Sequence, residues 1–106
     1  MEEIKTTIPN DTVFIVEPKG AKFSVGLLAN AGTGYQWMPK FADPQTKIVT
    51  LDQEQKIPIG GAKPGGQVEF RFDFLARNTG TVGCDFNLVG PDQNIVKTDR
   101  FDFVVT

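Results

Sequence analysis

The chain has 106 residues, 40% hydrophobic and 23% charged, which is the length and composition of a single globular domain with one buried core, here residues 1–106. A net charge of -2 at pH 7 without a basic patch excludes the usual nucleic-acid-binding surface, and no apolar run is long enough to span a membrane. One cysteine and no histidine exclude an intrachain disulfide, Ser-His or Cys-His catalysis, and any zinc site not built from carboxylates alone, so we expect a binding protein without catalytic residues, cofactor or metal.

The N-terminal segment, residues 1–5, reads Met-Glu-Glu-Ile-Lys. It is acidic and lacks the apolar region of a signal peptide, which predicts a cytoplasmic protein. Lysosomal, vesicular and secreted locations stay open, because an export segment could have been removed before expression.

Apolar and polar residues alternate with a period of two along most of the chain, which predicts β-strands with one buried face. The clearest runs have these apolar residues: Phe23, Val25 and Leu27; Val68, Phe70, Phe72 and Phe74; Val82, Cys84, Phe86 and Leu88; Phe101, Phe103 and Val105. Residues 13–16, 35–38 and 47–51 are shorter candidates. No window shows the 3.6-residue period of an amphipathic helix. We expect Cys84 to be a buried small hydrophobe, not a reactive thiol.

Turn signals separate these strands at residues 18–20, 43–44, 78–80 and 90–92. About seven short strands in a chain of this length predict an all-β protein, either a sandwich or a small barrel. Several strands are two-faced, and nine phenylalanines can fill the space between two sheets. We therefore predict an immunoglobulin-like antiparallel β-sandwich of about seven to eight strands.

Three segments have the composition of loops: residues 30–34 (loop one), 58–66 (loop two) and 89–94 (loop three). They fall between strands two and three, four and five, and six and seven, connections that emerge at one end of an immunoglobulin-like sandwich. Loop one leads into Tyr35 and Trp37, which face the same side of an extended strand. We expect this strand to be anchored in the core, with Trp37 buried and Thr33 held out at the tip of the loop.

The three loops also carry a recognisable set of motifs. The first reads Asn30-Ala31-Gly32-Thr33-Gly34-Tyr35 followed by Trp37, the second runs from Gly61 to Pro64-Gly65-Gly66, and the third contains Gly90-Pro91-Asp92. In this order and spacing the chain resembles the chagasin-type (ICP family) inhibitors of papain-like cysteine proteases. Their loops read Asn-Pro-Thr-Thr-Gly-(Tyr/Phe) before Trp, Gly-x-Gly-Gly before a long strand, and Arg-Pro-Trp. The similarity spans roughly Thr12 to Val105.

The resemblance implies a reversible, tight-binding inhibitor that blocks the cleft of a papain-like, cathepsin-like cysteine protease with three loops. It implies a free monomer without a nucleic-acid or membrane partner. The protease-binding residues carried over are Asn30, Ala31, Gly32, Thr33, Gly34, Tyr35, Gly61, Ala62, Lys63, Pro64, Gly65, Gly66, Gly90, Pro91, Asp92 and Gln93. Loop three lacks the Arg and Trp of the family pattern, the residue types most often found as interface hot spots, so we expect it to contribute less than loop one.

Other interpretations fit parts of the sequence. An immunoglobulin-like adhesion or scaffold module would bind through a sheet face or edge. A carboxylate-pair hydrolase is the one plausible enzyme without histidine, but Asp73, Asp85 and Asp102 fit solvated charges on polar strand faces. The glycine-rich residues 60–66 lack the Gly-Lys-Ser/Thr of a phosphate-binding loop and precede a strand, where such a loop precedes a helix.

Overall fold

The computed structural model describes residues 12–30, 34–59 and 67–106. These residues form seven strands: β1 (Thr12–Glu17), β2 (Lys22–Asn30), β3 (Gln36–Phe41), β4 (Val49–Pro58), β5 (Gln67–Ala76), β6 (Gly80–Val89) and β7 (Ile95–Val105). A four-stranded sheet has the order β1-β7-β6-β3, and a three-stranded sheet has the order β2-β5-β4. The predicted immunoglobulin-like sandwich is confirmed.

The strand at one edge of the larger sheet runs in an unexpected direction. The pairs β2–β5, β3–β6, β4–β5 and β6–β7 are antiparallel, as expected. Strand β1 instead pairs with β7 in parallel, with Thr12 opposite Arg100 and Glu17 opposite Val105. A tight turn forces two consecutive strands to be antiparallel, but no turn joins the first strand to the last, so their relative direction is free.

The core is built from the alternating residues that the sequence pattern identified. Phe72 and Phe74 of β5, Phe86 of β6 and Phe103 of β7 are each at most 1% exposed. Their rings meet across the two sheets, with centroids 5.3 Å apart for Phe72 and Phe86 and 5.0 Å apart for Phe74 and Phe103. Each buried phenylalanine contributes about 1.5–3 kcal/mol of hydrophobic stabilisation, so these rings hold the sheets together.

The cysteine belongs to this core. Cys84 is 1% exposed, and burial raises the pKa of its thiol to about 12. The thiol is therefore protonated at neutral pH and is a poor nucleophile. The prediction of a buried, structural cysteine is confirmed.

The strand-face carboxylates lie on the outer surfaces and are partly exposed. Asp73 accepts hydrogen bonds from Ser24 and Gln55. The guanidinium of Arg100 donates to both oxygens of Asp85, at 2.8 and 3.1 Å. These carboxylates link neighbouring strands, which is a structural role.

Strand β4 is longer than the predicted residues 47–51. It continues to Pro58 through a polar stretch, with a shift of register between Leu51 and Gln53. As an edge strand it pairs on one side only and stays largely in solvent, so its formation does not require alternating apolar residues. Strand β3 lies at the edge of the other sheet, where Pro39 is tolerated because the missing N–H is not needed for pairing on the open side.

Candidate functional site

The flanks of the three predicted loops lie at one end of the sandwich, here called the loop end. Strand registers place the residues beside the loops next to each other: Asn30 opposite Gln67, Pro58 opposite Val68, and Gln36 opposite Val89. The connections between β1 and β2, β3 and β4, and β5 and β6 lie at the opposite end, since consecutive strands of the sandwich alternate in direction. The placement derived from counting strands is confirmed for these flanks.

The structure describes seven of the candidate protease-binding residues: Asn30, Gly34, Tyr35, Gly90, Pro91, Asp92 and Gln93. Ala31, Gly32, Thr33 and residues 61–66 lie outside the described residues. The expectations placed on them, including Thr33 at the tip of loop one, stay predictions.

Loop one ends in a backbone conformation that favours glycine. Gly34 has φ +79°, in the left-handed region where an L side chain costs about 1–2 kcal/mol. Tyr35 is 38% exposed, whereas Trp37 is 5% exposed. The burial predicted for Trp37 is confirmed. Tyr35 precedes β3 and is only partly buried, so Trp37 is the residue that anchors this strand in the core.

A hydrogen bond between the two sheets fixes the base of loop one. The indole N–H of Trp37 in β3 donates to the backbone carbonyl of Leu28 in β2 at 2.9 Å. A buried indole N–H needs such a partner, since leaving it unpaired costs about 1–3 kcal/mol. The Nζ of Lys97 also lies 5.9 Å from the centroid of the Trp37 ring. The side chain of Trp37 thus joins β2 and β3, the two strands that flank loop one.

Loop three is a tight hairpin. The N–H of Gln93 donates to the carbonyl of Gly90, and the N–H of Gly90 donates to the carbonyl of Asn94, both at 2.9 Å. Pro91 follows the first residue of the turn, and Gln93 has φ +70°. These features fit a three-residue hairpin loop closed by a left-handed residue, a position where glycine is the usual choice.

A second set of hydrogen bonds stiffens the same hairpin. The carboxylate of Asp92 accepts from the backbone N–H of Asn94 at 3.2 Å and from its side-chain amide at 3.0 Å. Both bonds hold the pKa of Asp92 below its ordinary value, and the bond from the backbone N–H of Asn94 has the larger effect. Loop three is therefore ordered by its own backbone and short polar side chains, without the large anchors of the family pattern.

Loops one and three touch each other. A Cβ atom placed on Gly34 would lie 3.1 Å from Cβ of Pro91. A Cβ atom placed on Gly90 would lie 3.1 Å from Oδ1 of Asp92 in the same loop and 3.6 Å from Cε2 of Tyr35. Gly34 thus faces the ring of Pro91, and Gly90 faces the ring of Tyr35, the residue after loop one.

Two adjoining clefts open beside this contact. One, of about 290 Å³, lies at the loop end and is lined by Asn30, Gly34, Tyr35, Gln36, Lys56, Val68 and Phe70. The other, of about 340 Å³, lies between the edge strands β3 and β4 and shares Gln36, Lys56 and Phe70 with the first. The Nζ of Lys56 lies 5.4 Å from the centroid of the Phe70 ring. The clefts combine an aromatic floor with a cation, a surface suited to contact with another protein.

Sequence reasoning missed exposed apolar side chains at the loop end, among them Ile59 and Ile95. Ile59, in loop two, is 41% exposed and Ile95, directly after loop three, is 58% exposed. The N–H of Ile59 donates to the carbonyl of Gln67 at 2.9 Å, which fixes the first residue beyond β4. An isoleucine within or next to a loop was the available signal, but only the structure shows that these side chains face solvent beside the predicted contact surface.

Two further properties bear on function. Within residues 12–30, 34–59 and 67–106, no group of three or more Cys, Asp or Glu side chains is placed to hold a metal ion. The same part of the chain has no helix that is long and apolar enough to cross a membrane.

A family model described as chagasin family peptidase inhibitor I42 matches residues 18–106, which is most of the chain. The chain belongs to the chagasin family of peptidase inhibitors. The family predicted from the sequence is therefore confirmed. A comparison with curated protein sequences finds no significant match.

Solved structures support the fold. The cysteine protease inhibitor EhICP2 from Entamoeba histolytica is 16% identical, with a TM-score of 0.70 over 90% of this chain and 86% of that one. Amebosin is 17% identical, with a TM-score of 0.67 over 92% and 90%. PbICP-C, solved in complex with falcipain-2, is 16% identical, with a TM-score of 0.61 over 100% and 96%. At these identities the likeness concerns the sandwich architecture.

Proposed function

We propose that this member of the chagasin family is a reversible, tight-binding inhibitor of papain-like cysteine proteases that occupies the active-site cleft with its loop end. The observation that carries the proposal is the convergence of the three loop flanks at one end of the sandwich. EhICP2 is a cysteine protease inhibitor, and PbICP-C was solved bound to falcipain-2, which supports the choice of target class.

The chemistry of the chain fits inhibition without turnover. The single thiol, that of Cys84, is buried and protonated at neutral pH, so it cannot exchange with a protease thiolate. The chain has no histidine to activate a serine or threonine. We infer that the contact is non-covalent and that the inhibitor is neither a substrate nor an enzyme.

We assign each loop a part in this contact. Loop one would enter the cleft, with Thr33 and Gly34 next to the protease cysteine. Loop two, rich in glycine, would lie along the substrate groove and pair through its backbone, since glycine allows close approach. Loop three would brace one side. An interface of this class buries about 1,600 Å² in total and can reach nanomolar affinity or better.

The test is a titration of papain with the protein at a fixed concentration of a small peptide substrate. Micromolar protein should abolish hydrolysis. The inhibition should be competitive and should reverse on dilution, because no bond forms to the protease thiol. Full protease activity in excess protein, or inhibition that persists after dilution and coincides with cleavage of the inhibitor, would reject the proposal.

One observation favours binding through a sheet edge as the second candidate function. On the outer face of β1, Phe14 is 65% exposed and Val16 is 59% exposed, and exposed neighbouring apolar residues on an edge strand are a common binding surface. The variant Phe14→Ser separates the two functions. It should leave protease inhibition unchanged, whereas a sheet-edge binding module would lose its partner.

A further inference from the structure

The contact between loops one and three is reciprocal. Gly34 of loop one faces the ring of Pro91 in loop three, and Gly90 of loop three faces the ring of Tyr35, the residue after loop one. At 3.1 Å the first contact leaves no room for a methyl group without a shift of Pro91, and the second is at ordinary van der Waals distance, 3.6 Å. Gly34 therefore lets the Pro91 ring pack directly on its backbone, and the Tyr35 ring lies in ordinary contact over Gly90.

Burial supports this interpretation. Gly90 is buried although it lies in a hairpin at the end of the sandwich, whereas the residues that follow it are exposed. The Tyr35 ring lies over it while keeping 38% of its own surface in solvent. The covered part of loop three is thus the part that faces loop one.

Hydrogen bonds at their bases hold both loop one and loop three in place. Loop three is closed by the hydrogen bonds between Gly90, Gln93 and Asn94, and the strands beside loop one are joined by the bond from Trp37 to Leu28. Because both loops are fixed and closely packed, a displacement of one loop also displaces the other.

We propose that Pro91 and Gly90 are positioning residues: loop three holds Gly34 of loop one and the adjoining Tyr35 in place, and its effect on protease binding passes mainly through them. This inference depends on the proposed inhibitory function. Loop three can position loop one without the arginine or the tryptophan of the family pattern, because this role requires only the rigid Pro91 ring and the closely approaching backbone of Gly90.

A double-mutant cycle tests the proposal. Gly34→Ala and Pro91→Gly should each weaken papain inhibition, by about tenfold for residues of a contact site. The loss of inhibition in the double variant should be about fivefold smaller than the product of the two single losses, since removing Pro91 relieves the clash at position 34. Pairing Gly34→Ala with Gln93→Ala is the matched control. Gln93 lies in the same hairpin away from that clash, so those two effects should multiply.

The free protein provides a second readout that a merely structural role would not move. Tyr35 is the single tyrosine of the chain, so 3-fluorotyrosine labelling gives one ¹⁹F resonance that reports on its ring. Pro91→Gly should shift or broaden this resonance, Pro91→Ala should do so less, and Gln93→Ala should leave it in place.

The outcomes are distinct. Inhibitory effects that multiply for Gly34 and Pro91, or a resonance that Pro91→Gly does not change, would overturn the positioning role. If the wild-type protein failed to inhibit papain, the proposed function would fall, and the ¹⁹F spectra would still decide whether loop three holds loop one.

Discussion

Replacing Gly34 tests loop one most directly. The residue combines a left-handed backbone, φ +79°, with a Cβ position only 3.1 Å from Cβ of Pro91. A side chain there costs about 1–2 kcal/mol in backbone strain alone, and the approach to Pro91 adds the displacement of a neighbouring loop. For Gly34→Val we expect inhibition to weaken by about 2 kcal/mol or more, which is roughly a 30-fold rise in the inhibition constant.

The chain offers a matched control for the backbone strain. Gly20, in the turn between β1 and β2, has φ +92° and no atom within 4 Å of a Cβ built on it. It lies at the end of the sandwich opposite the loop end. Gly20→Val should therefore lower the free energy of unfolding by a similar backbone cost, about 1–2 kcal/mol, while leaving inhibition unchanged.

The assay compares both variants with the wild type. Circular dichroism shows whether each variant is folded, urea unfolding gives its stability, and a tight-binding titration of papain gives its inhibition constant. A folded Gly34→Val protein that inhibits as well as the wild type would remove loop one from the site. Equal losses of inhibition in both variants would show that general destabilisation, not the loop, causes the effect.

Three further predictions concern the core and loop three. Trp37→Phe removes the hydrogen bond to Leu28 and should lower the free energy of unfolding by about 1–3 kcal/mol. This variant should also inhibit more weakly. The control Phe86→Leu, a core change away from the loops, should lower stability only. Cys84→Val should cost under about 1.5 kcal/mol and leave the inhibition constant unchanged. Burial raises the pKa of the native thiol to about 12 from its ordinary value of 9.0, so wild-type stability should fall between pH 9 and pH 12 by roughly 1.4 kcal/mol per pH unit as the unfolded thiol ionises. Urea unfolding of the valine variant should lack this loss, and an identical pH dependence would contradict the assignment. Gln93→Gly relieves a left-handed backbone and should raise stability by up to about 1 kcal/mol, with less effect on inhibition than any change at Gly34; lower stability in urea would argue against strain at this position.

The sequence predicted the parts of the fold that depend on local pattern. The alternation around Phe70, Phe72 and Phe74 identified a core strand because side chains of a strand point to opposite faces. Loop placement followed from the number of strands, since consecutive connections alternate between the two ends of a sandwich. Both inferences need only the order of residues along the chain.

The features that the sequence did not predict depend on the whole fold. The parallel pairing of β1 with β7 and the polar extension of β4 arise at sheet edges, where no alternating pattern is required. Tyr35 precedes the first residue of β3 and is 38% exposed, which the alternating pattern did not indicate. The contact between Gly34 and Pro91 joins residues far apart in sequence, and neither residue alone indicates its partner.

Thr106, the last residue of the sequence, offers a position for attaching the domain to a surface. Thr106 is tied to the end away from the loops, where its N–H donates to the carbonyl of Glu17 and its carbonyl accepts from the N–H of Lys19, both at 3.0 Å. A linker attached there would leave the loop end pointing away from whatever carries it. The domain could thus be immobilised on a sensor surface, or displayed in many copies on a particle, with every copy oriented alike and open to a protease arriving from solution.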